Sequence, residues 1–464
     1  MENSKQIVII GGGITGLSAA WYLNTHSHQS FNVILIEAEK TLGGKMITHQ
    51  VEMEDGEHLV INGGVDSFMT RKPQVWMLAE ELDMRDEVIN GGSELDQLCM
   101  LRDGKLEKIP KSFLGLLFSG LLTFKGKLRI FKELFIPAKT DDEDESVASF
   151  VTRRFGREFL DKIAGPVLEG LGYGDPKVES MLAVHPELVA MEKKHGSLLE
   201  GVLRWRLTNL FSSNLGRKNL KRIAFKQGVQ TLINQMASKL KLEIRTGTRA
   251  LEVNKYEGRF QVVLSAGDPI VADGVILATP ANVSSEILKY IAPESAAMLF
   301  QIQHESRGTL SLAYRSEDVG RPTKFQKLLI PRAEQRKIDV VEWTTTKSYS
   351  GTSGGYELLK VHFGSADERL TDLSEAELVK IIRGELKDIL GIKAEPVHAE
   401  VFRWQNGFPR LDVGHLELVD LIEGQLPEGI FLAGSSYRGS DVQDCIQQGY
   451  DAAEICLQQM ERVE

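Results

Sequence analysis

The sequence predicts an α/β protein whose two ends meet in one parallel sheet, and three observations carry that prediction. Residues 6–10 (QIVII) are continuously apolar, as in a strand buried on both faces. Gly11, Gly12, Gly13, Ile14, Thr15 and Gly16 follow at once, a GxGxxG turn, and residues 14–26 then carry Ile14, Leu17, Ala20, Trp21 and Leu23 at helical spacing. Residues 31–36 form a second apolar run that closes on Glu37. Near the other end, residues 429–434 (GIFLAG) repeat the strand-then-glycine pattern ahead of a helical stretch from 443 to 459.

Each element of this βαβ start has a reason. The first glycine makes the tight turn, the second lets backbone approach a pyrophosphate, and the third lets the helix pack on the strand. The helix N-terminus offers unpaired N–H groups and the positive end of its dipole to phosphates. Glu37, with Ala38 beside it, stands where ribose hydroxyls would donate. The pattern marks a Rossmann-like dinucleotide site. Thr41-Leu42-Gly43-Gly44-Lys45 comes next. Its glycines let the chain pass close to a cofactor, and Lys45 would meet a phosphate or ribose. This second motif resembles that of two-domain FAD oxidases and desaturases. In such proteins a C-terminal strand and glycine, here Gly434, lead to a helix opened by Ser440, Asp441 and Val442. That helix N-terminus would face the flavin pyrimidine and stabilise its reduced anion.

Composition narrows the class. The chain has 464 residues, 42% hydrophobic and 26% charged, enough to bury a large core. Its net charge of −10 argues against a nucleic-acid partner. Three cysteines (Cys99, Cys445, Cys456) build neither a disulfide framework nor a thiolate metal site. Apart from His26-Ser27-His28, the ten histidines show no HxH or HExxH pairing, so no metal site is expected. The longest apolar stretch, 113–124, falls short of the ~20 residues that span a bilayer. The start of the sequence lacks the pattern of a secretory leader.

The sequence resembles the FAD-dependent protoporphyrinogen and coproporphyrinogen oxidases of haem synthesis, in particular the soluble Gram-positive bacterial type, within the amine-oxidase-like superfamily. The residues carrying the likeness are the 11–16 loop, Gly43-Gly44-Lys45, NGGVDSF at 62–68 with Arg71-Lys72, and GPVLEGLGYGDP at 165–176. FKQGVQTLI at 225–233, VILATP at 275–280, Arg403-Trp404, Gly414-His415 and LAGSSYRGSDVQDCI at 432–446 continue it. The resemblance implies a non-covalent FAD in a discontinuous Rossmann-like domain (1–90, 215–295 and 400–464), a helical subdomain (91–214) facing substrate or membrane, and a substrate-binding α+β sheet domain (296–399). The implied cofactor contacts are Gly11 to Gly16, Glu37, Ala38, Gly44, Lys45, Asn62, Gly63, Gly64, the Ala250 backbone, Trp404, Gly434, Ser440, Asp441 and Val442. Lys72, His362 and Arg410 are the implied substrate-holding residues. Also implied are a porphyrinogen substrate, dioxygen as acceptor, hydrogen peroxide as product, a downstream haem-pathway enzyme as partner, and a cytoplasmic location with at most peripheral membrane contact.

Three departures stand out. Relatives read Gly-Pro-Asp-Ser where this chain has Gly64-Val65-Asp66-Ser67, Pro-Gln-Tyr where it has Pro409-Arg410-Leu411, and Gly-Val-Gly where it has Gly439-Ser440-Asp441. Asp441 suits a helix N-cap; its charge would also oppose an anionic reduced flavin. Three readings beside coproporphyrinogen oxidation stay open: protoporphyrinogen oxidation, another amine-oxidase-like oxidase or desaturase, and a flavoprotein that binds porphyrin without turnover. A pyridine-nucleotide dehydrogenase would need a second GxGxxG, and none occurs.

Two basic stretches complete the reading. Residues 105–139 hold eight Lys and Arg against two Glu, with apolar residues near helical spacing. They read as a basic amphipathic helix, packed as a cap, roofing a cavity or lying on a membrane. Residues 201–226 hold seven basic residues and no acid, a field suited to an anionic substrate. The acidic run 141–145 reads as a solvated loop.

Overall fold

A computed structural model of the chain describes residues 5–26, 31–70, 72–90, 98–110, 113–170, 174–211, 222–319, 325–344 and 355–462. Strand β1 (Gln6–Ile10) leads into helix α1 (Ile14–His26) and strand β2 (Asn32–Ile36). These are the first three elements expected, with β2 starting one residue late. β1 lies at the centre of a five-stranded parallel sheet in the order Glu243–Arg245, β2, β1, Gly274–Leu277, Ile430–Leu432. Both chain ends therefore share one sheet.

The continuous apolar character of β1 follows from cover on both faces. Ile7 and Ile9 pack with Leu17 and Ala20 of α1 and with Ile446 and Ala453 of the final helix, Val442–Arg462. Val8 and Ile10 face Val253 and Val262 of a three-stranded antiparallel sheet, and Leu288 of the helix Ala281–Leu288. The two N-terminal-facing helices touch closely: a methyl group on Gly449 would overlap the Thr15 carbonyl.

After β2 the chain forms the hairpin β3 (Thr48–Glu52) and β4 (His58–Asn62). A second, seven-stranded sheet has the order His398–Pro409, His304–Arg315, Tyr356–Phe363, Ile338–Trp343, Lys327–Leu329, Leu98–Arg102, Lys105–Lys108. Four of its strands, His304–Arg315, Lys327–Leu329, Ile338–Trp343 and Tyr356–Phe363, fall in 296–399, where a sheet is expected. Two strands at one edge come from the segment read as helical from residue 91. At the other edge, His398–Pro409 runs across position 400, where the sequence reading returned to the cofactor domain. Long hydrogen-bonded pairing overrides a boundary drawn from motifs.

A helical region fills 113–211. Its core pairs a fully buried Arg154 with Glu133, which also accepts from Ser197 and the Leu198 amide. The single amphipathic helix expected over 105–139 is not formed. The segment is a strand, two short helices (Phe113–Phe118 and Phe124–Phe131) and a 3₁₀ turn. Thr123 caps the second helix through the Gly126 amide and breaks the run. Phe118 and Phe135 are 88% and 86% exposed. The acidic run is also more engaged than a solvated loop. Asp144 accepts from the Leu182 and Gly414 amides, and Glu145 binds Arg153 at 2.6 Å. Of the basic stretch 201–226, residues 212–221 lie outside the described residues.

Candidate functional site

The glycine loop is built as the motif requires. Gly11 donates to Ile36 O at 2.8 Å with φ +110°, joining the loop to the end of β2. A methyl group on Gly16 would overlap the Gly11 carbonyl, so only glycine lets α1 start this close to β1. Gly13, by contrast, faces open space. It also bridges to Gly43, whose amide donates to Gly12 O at 2.9 Å. The two glycine motifs thus form one cradle. Glu37 accepts from the Gly12 amide at 2.6 Å and, through its other oxygen, from the Glu39 amide at 2.8 Å. Ala38 lies between these two carboxylate-facing residues. The Thr248 amide donates to Glu37 O, which places Ala250 two residues beyond this corner.

Lys45 carries the clearest electrostatic signal. Its Nζ donates to Gly407 O and lies 4.4 Å from the centre of the Phe408 ring. Burial lowers its pKa to about 8, and Arg307 nearby adds to the effect. No carboxylate contacts Lys45 among the described residues. A half-buried cation without a carboxylate partner among the described residues, beside the open Gly13 face and the α1 N-terminus, fits a phosphate-bearing cofactor. Trp404, on the same strand as Phe408, stacks on Phe402 and meets Phe408 edge-on at 6.1 Å.

The Asn62-Gly63-Gly64 turn is held from both sides. Asn62 accepts from Thr48 Oγ1 and the Val229 amide and donates to Asp66. Thr309 Oγ1 donates to Gly63 O at 2.8 Å, and Lys360 Nζ reaches Gly64 O at 3.2 Å. Gln230, in the FKQGVQTLI motif, braces the second glycine motif by donating to Leu42 O.

At the C-terminal end, Gly434 has φ +134° and sits near Thr15. Ser440 is exposed. Asp441 is an N-cap: its Oδ1 accepts from the Gln443 and Asp444 amides at 2.6 and 3.2 Å, ahead of Val442 at the helix start. Its other oxygen takes Lys72, which also binds Asp444 at 2.5 Å. Burial works against the Lys72 charge, but the two carboxylates outweigh it and raise its pKa. Burial pushes the neighbouring Cys445 thiol up to about 11, so it is neutral and unreactive near pH 7.

The three implied substrate-holding residues are not in contact with one another among the described residues. Lys72 ties its loop to the final helix. Arg410 is held bidentately by Asp412, both bonds 2.7 Å. His362 stands on the seven-stranded sheet with Nε2 3.4 Å from Glu342 Oε1. Arg71 and residues 171–173 of the glycine-rich segment lie outside the described residues. His304 and His415 bond backbone carbonyls and are core residues.

Sequence reasoning missed the charged cluster beside His362. Lys360, 1% exposed, binds Asp66 at 2.5 Å, and Lys327 binds Glu342 at 2.6 Å. The available signal was a charged residue inside each of two apolar strands, LLKVHF and VVEW.

A parallel sheet whose two glycine motifs form one cradle, with two helix N-termini and a half-buried lysine lacking a carboxylate partner among the described residues, fits a flavin-dependent oxidoreductase. The chain belongs to the flavin containing amine oxidoreductase family, whose model matches residues 14–457. A flavin is therefore its cofactor class. It is 27% identical to the coproporphyrinogen III oxidase of Bacillus subtilis (strain 168), over 98% of both chains. It is also 27% identical to protoporphyrinogen oxidase 2 of Arabidopsis thaliana, over 99% of this chain and 95% of the relative. Among solved structures, a protein of Exiguobacterium sp. 255-15 assigned as a protoporphyrinogen oxidase matches with a TM-score of 0.82 at 25% identity, over 99% of each chain.

Proposed function

We propose that this chain is an FAD-dependent porphyrinogen oxidase whose substrate is coproporphyrinogen III. The reaction is a six-electron oxidation to coproporphyrin III in three two-electron cycles, with dioxygen as final acceptor and hydrogen peroxide as product. The observation that carries this reading is the end-to-end likeness to the Bacillus subtilis coproporphyrinogen III oxidase. The half-buried Lys45, with no carboxylate partner among the described residues, supports a phosphate-bearing flavin, and we take it to be FAD held without a covalent bond.

The flavin supplies the hydride-accepting chemistry. The chain's own residues do the rest. The α1 N-terminus, Gly13 and Lys45 hold the pyrophosphate, and Glu37 turns from the Gly12 and Glu39 amides to ribose hydroxyls. The Gly63-Gly64 turn, braced by Thr309 and Lys360, and Trp404 shape the wall between cofactor and substrate. We place the protein in the cytoplasm, with a downstream haem-pathway enzyme as partner; no helix among the described residues is long and apolar enough to cross a membrane.

The purified protein, mixed aerobically with freshly reduced coproporphyrinogen III or protoporphyrinogen IX, tests this. The expected result is a yellow protein with FAD absorption, and porphyrin fluorescence rising above autoxidation, faster with coproporphyrinogen. A faster rate with protoporphyrinogen IX installs the second reading, which the plant relatives favour. Loss of both rates in a flavin-loaded protein overturns the function.

A further inference from the structure

We propose that His362 is the proton acceptor of this oxidation, with Glu342 as its positioning partner and Lys327 and Lys360 flanking that carboxylate. The inference deepens the porphyrinogen reading and rests on it.

The argument starts from register. Residues directly opposite on neighbouring strands project to the same face of a sheet. His362 lies opposite Thr309 and Val340, Glu342 opposite Lys360 and Lys327. All six therefore share one face. Thr309 and Lys360 touch the Gly63-Gly64 turn, so this face is turned toward the cofactor cradle. Val340 packs with Leu329, Leu98 and Val167 of the helical region. His362 stands where the charged cluster meets that buried apolar packing, with its own side chain partly open to solvent. A porphyrinogen presents inward N–H groups that need an acceptor.

Chemistry then selects among the groups on the face. Each cycle breaks one meso C–H bond, whose electron pair leaves as hydride to the oxidised flavin. It also releases one proton, from a pyrrole N–H in two of the cycles and from the fourth meso carbon in the remaining one, and the electron pair left behind forms the new double bond, so that four meso C–H and two N–H hydrogens leave in all. One proton per cycle must be accepted. Lys327 and Lys360 are paired cations and cannot take it. Asp66 is held by Lys360 and Asn62. Burial works against charge on Glu342, but Lys327, His362 and Lys360 outweigh it and hold its carboxyl well below the usual range. The imidazole of His362 is the remaining group on this face with a ring nitrogen able to accept a proton. Nε2 of His362 faces the ionised Glu342, which stabilises the imidazolium as it forms. The side chain is 32% exposed, so solvent can remove the proton before the next cycle.

The test is anaerobic reduction of the bound flavin by porphyrinogen in stopped flow from pH 5.5 to 8.5, which isolates proton loss from reaction with dioxygen. In the unmodified protein the reduction rate falls on the acid side as one group protonates. H362A is expected to reduce flavin at least tenfold more slowly at pH 7.5, with KM within threefold and no acid limb, and added imidazole restores part of the rate. H362Q, which fills the same space, shows the same loss without rescue. E342Q moves the limb to lower pH. FAD content and melting temperature of the histidine variants match the parent. H362A and H362Q rates within twofold of the parent, or an unchanged acid limb, overturn the proposal alone. A parent protein that never reduces flavin with either porphyrinogen overturns the functional reading, and this proposal with it.

Discussion

At the residue scale, Lys45 is the most informative side chain. Its folded pKa of about 8 lies below the ordinary 10.5, so the cofactor-free chain drops this proton above pH 8 while an unfolded chain keeps it. The charged lysine costs stability fully below pH 8, and that cost fades as pH rises toward 10.5. A bound pyrophosphate favours the ammonium, so binding above pH 8 takes up a proton. FAD affinity, followed by flavin fluorescence quenching, is expected to be flat between pH 6.5 and 7.5. It then weakens above pH 8 toward about tenfold per pH unit, the limit for one proton. K45M should bind FAD about ten- to hundredfold more weakly at pH 7, as befits loss of a charged hydrogen bond of roughly 1.5–3 kcal/mol. It should also lose the pH slope; a slope that survives would refute the role. Gly16 offers a steric counterpart. G16A forces a methyl against the Gly11 carbonyl, and is expected to cost about 1–3 kcal/mol and leave the protein without flavin colour. These residues were legible in the sequence because a close backbone approach admits only glycine, wherever the rest of the chain goes. Lys360 and Asp66 were not, since their pairing joins positions 294 residues apart.

At the element scale, the final helix shows how a local rule and a long-range contact act together. Asp441 caps it with two amide bonds while Lys72 spans the same carboxylate and Asp444. Removing the cap in D441A is expected to lower stability by about 1 kcal/mol. If this helix end faces the flavin as proposed, the change also removes a negative charge there, and sulfite addition to the oxidised flavin should tighten. Thermal melting and a sulfite titration read the two effects separately; unchanged values in both would leave Asp441 a surface residue. The cap was legible from the Asp441–Val442 step. The fate of the 105–139 segment was not. Its apolar spacing suited one helix, but Thr123 starts a new helix, and spacing alone does not tell which face a neighbour covers. The two edge strands drawn from 98–108 were missed for a related reason: a short strand is defined by its partner, here Lys327–Leu329, more than by its own residues.

At the scale of the whole molecule, the cofactor sheet depends on three distant pieces of chain. A protein ending at residue 428 lacks the strand Ile430–Leu432 and the helix that covers α1. It is expected to be flavin-free and aggregated, as solubility and absorbance would report; a soluble yellow fragment would contradict the shared sheet. The parallel sheet shared by the two ends of the chain was legible from the motifs at each end. The crossing of strands over those boundaries was not, because hydrogen-bonded ladders extend until a bulge or turn stops them. The shared sheet also has a temporal meaning. β1 leaves the ribosome first, yet one neighbour, Gly274–Leu277, is made midway, and the strand beyond it, Ile430–Leu432, comes near the end. At ~5–20 residues per second, β1 waits on the order of 20–90 s for its sheet to be completed. The apolar QIVII segment needs shielding throughout that interval, and the cofactor can only be captured once the strand Ile430–Leu432 has been made.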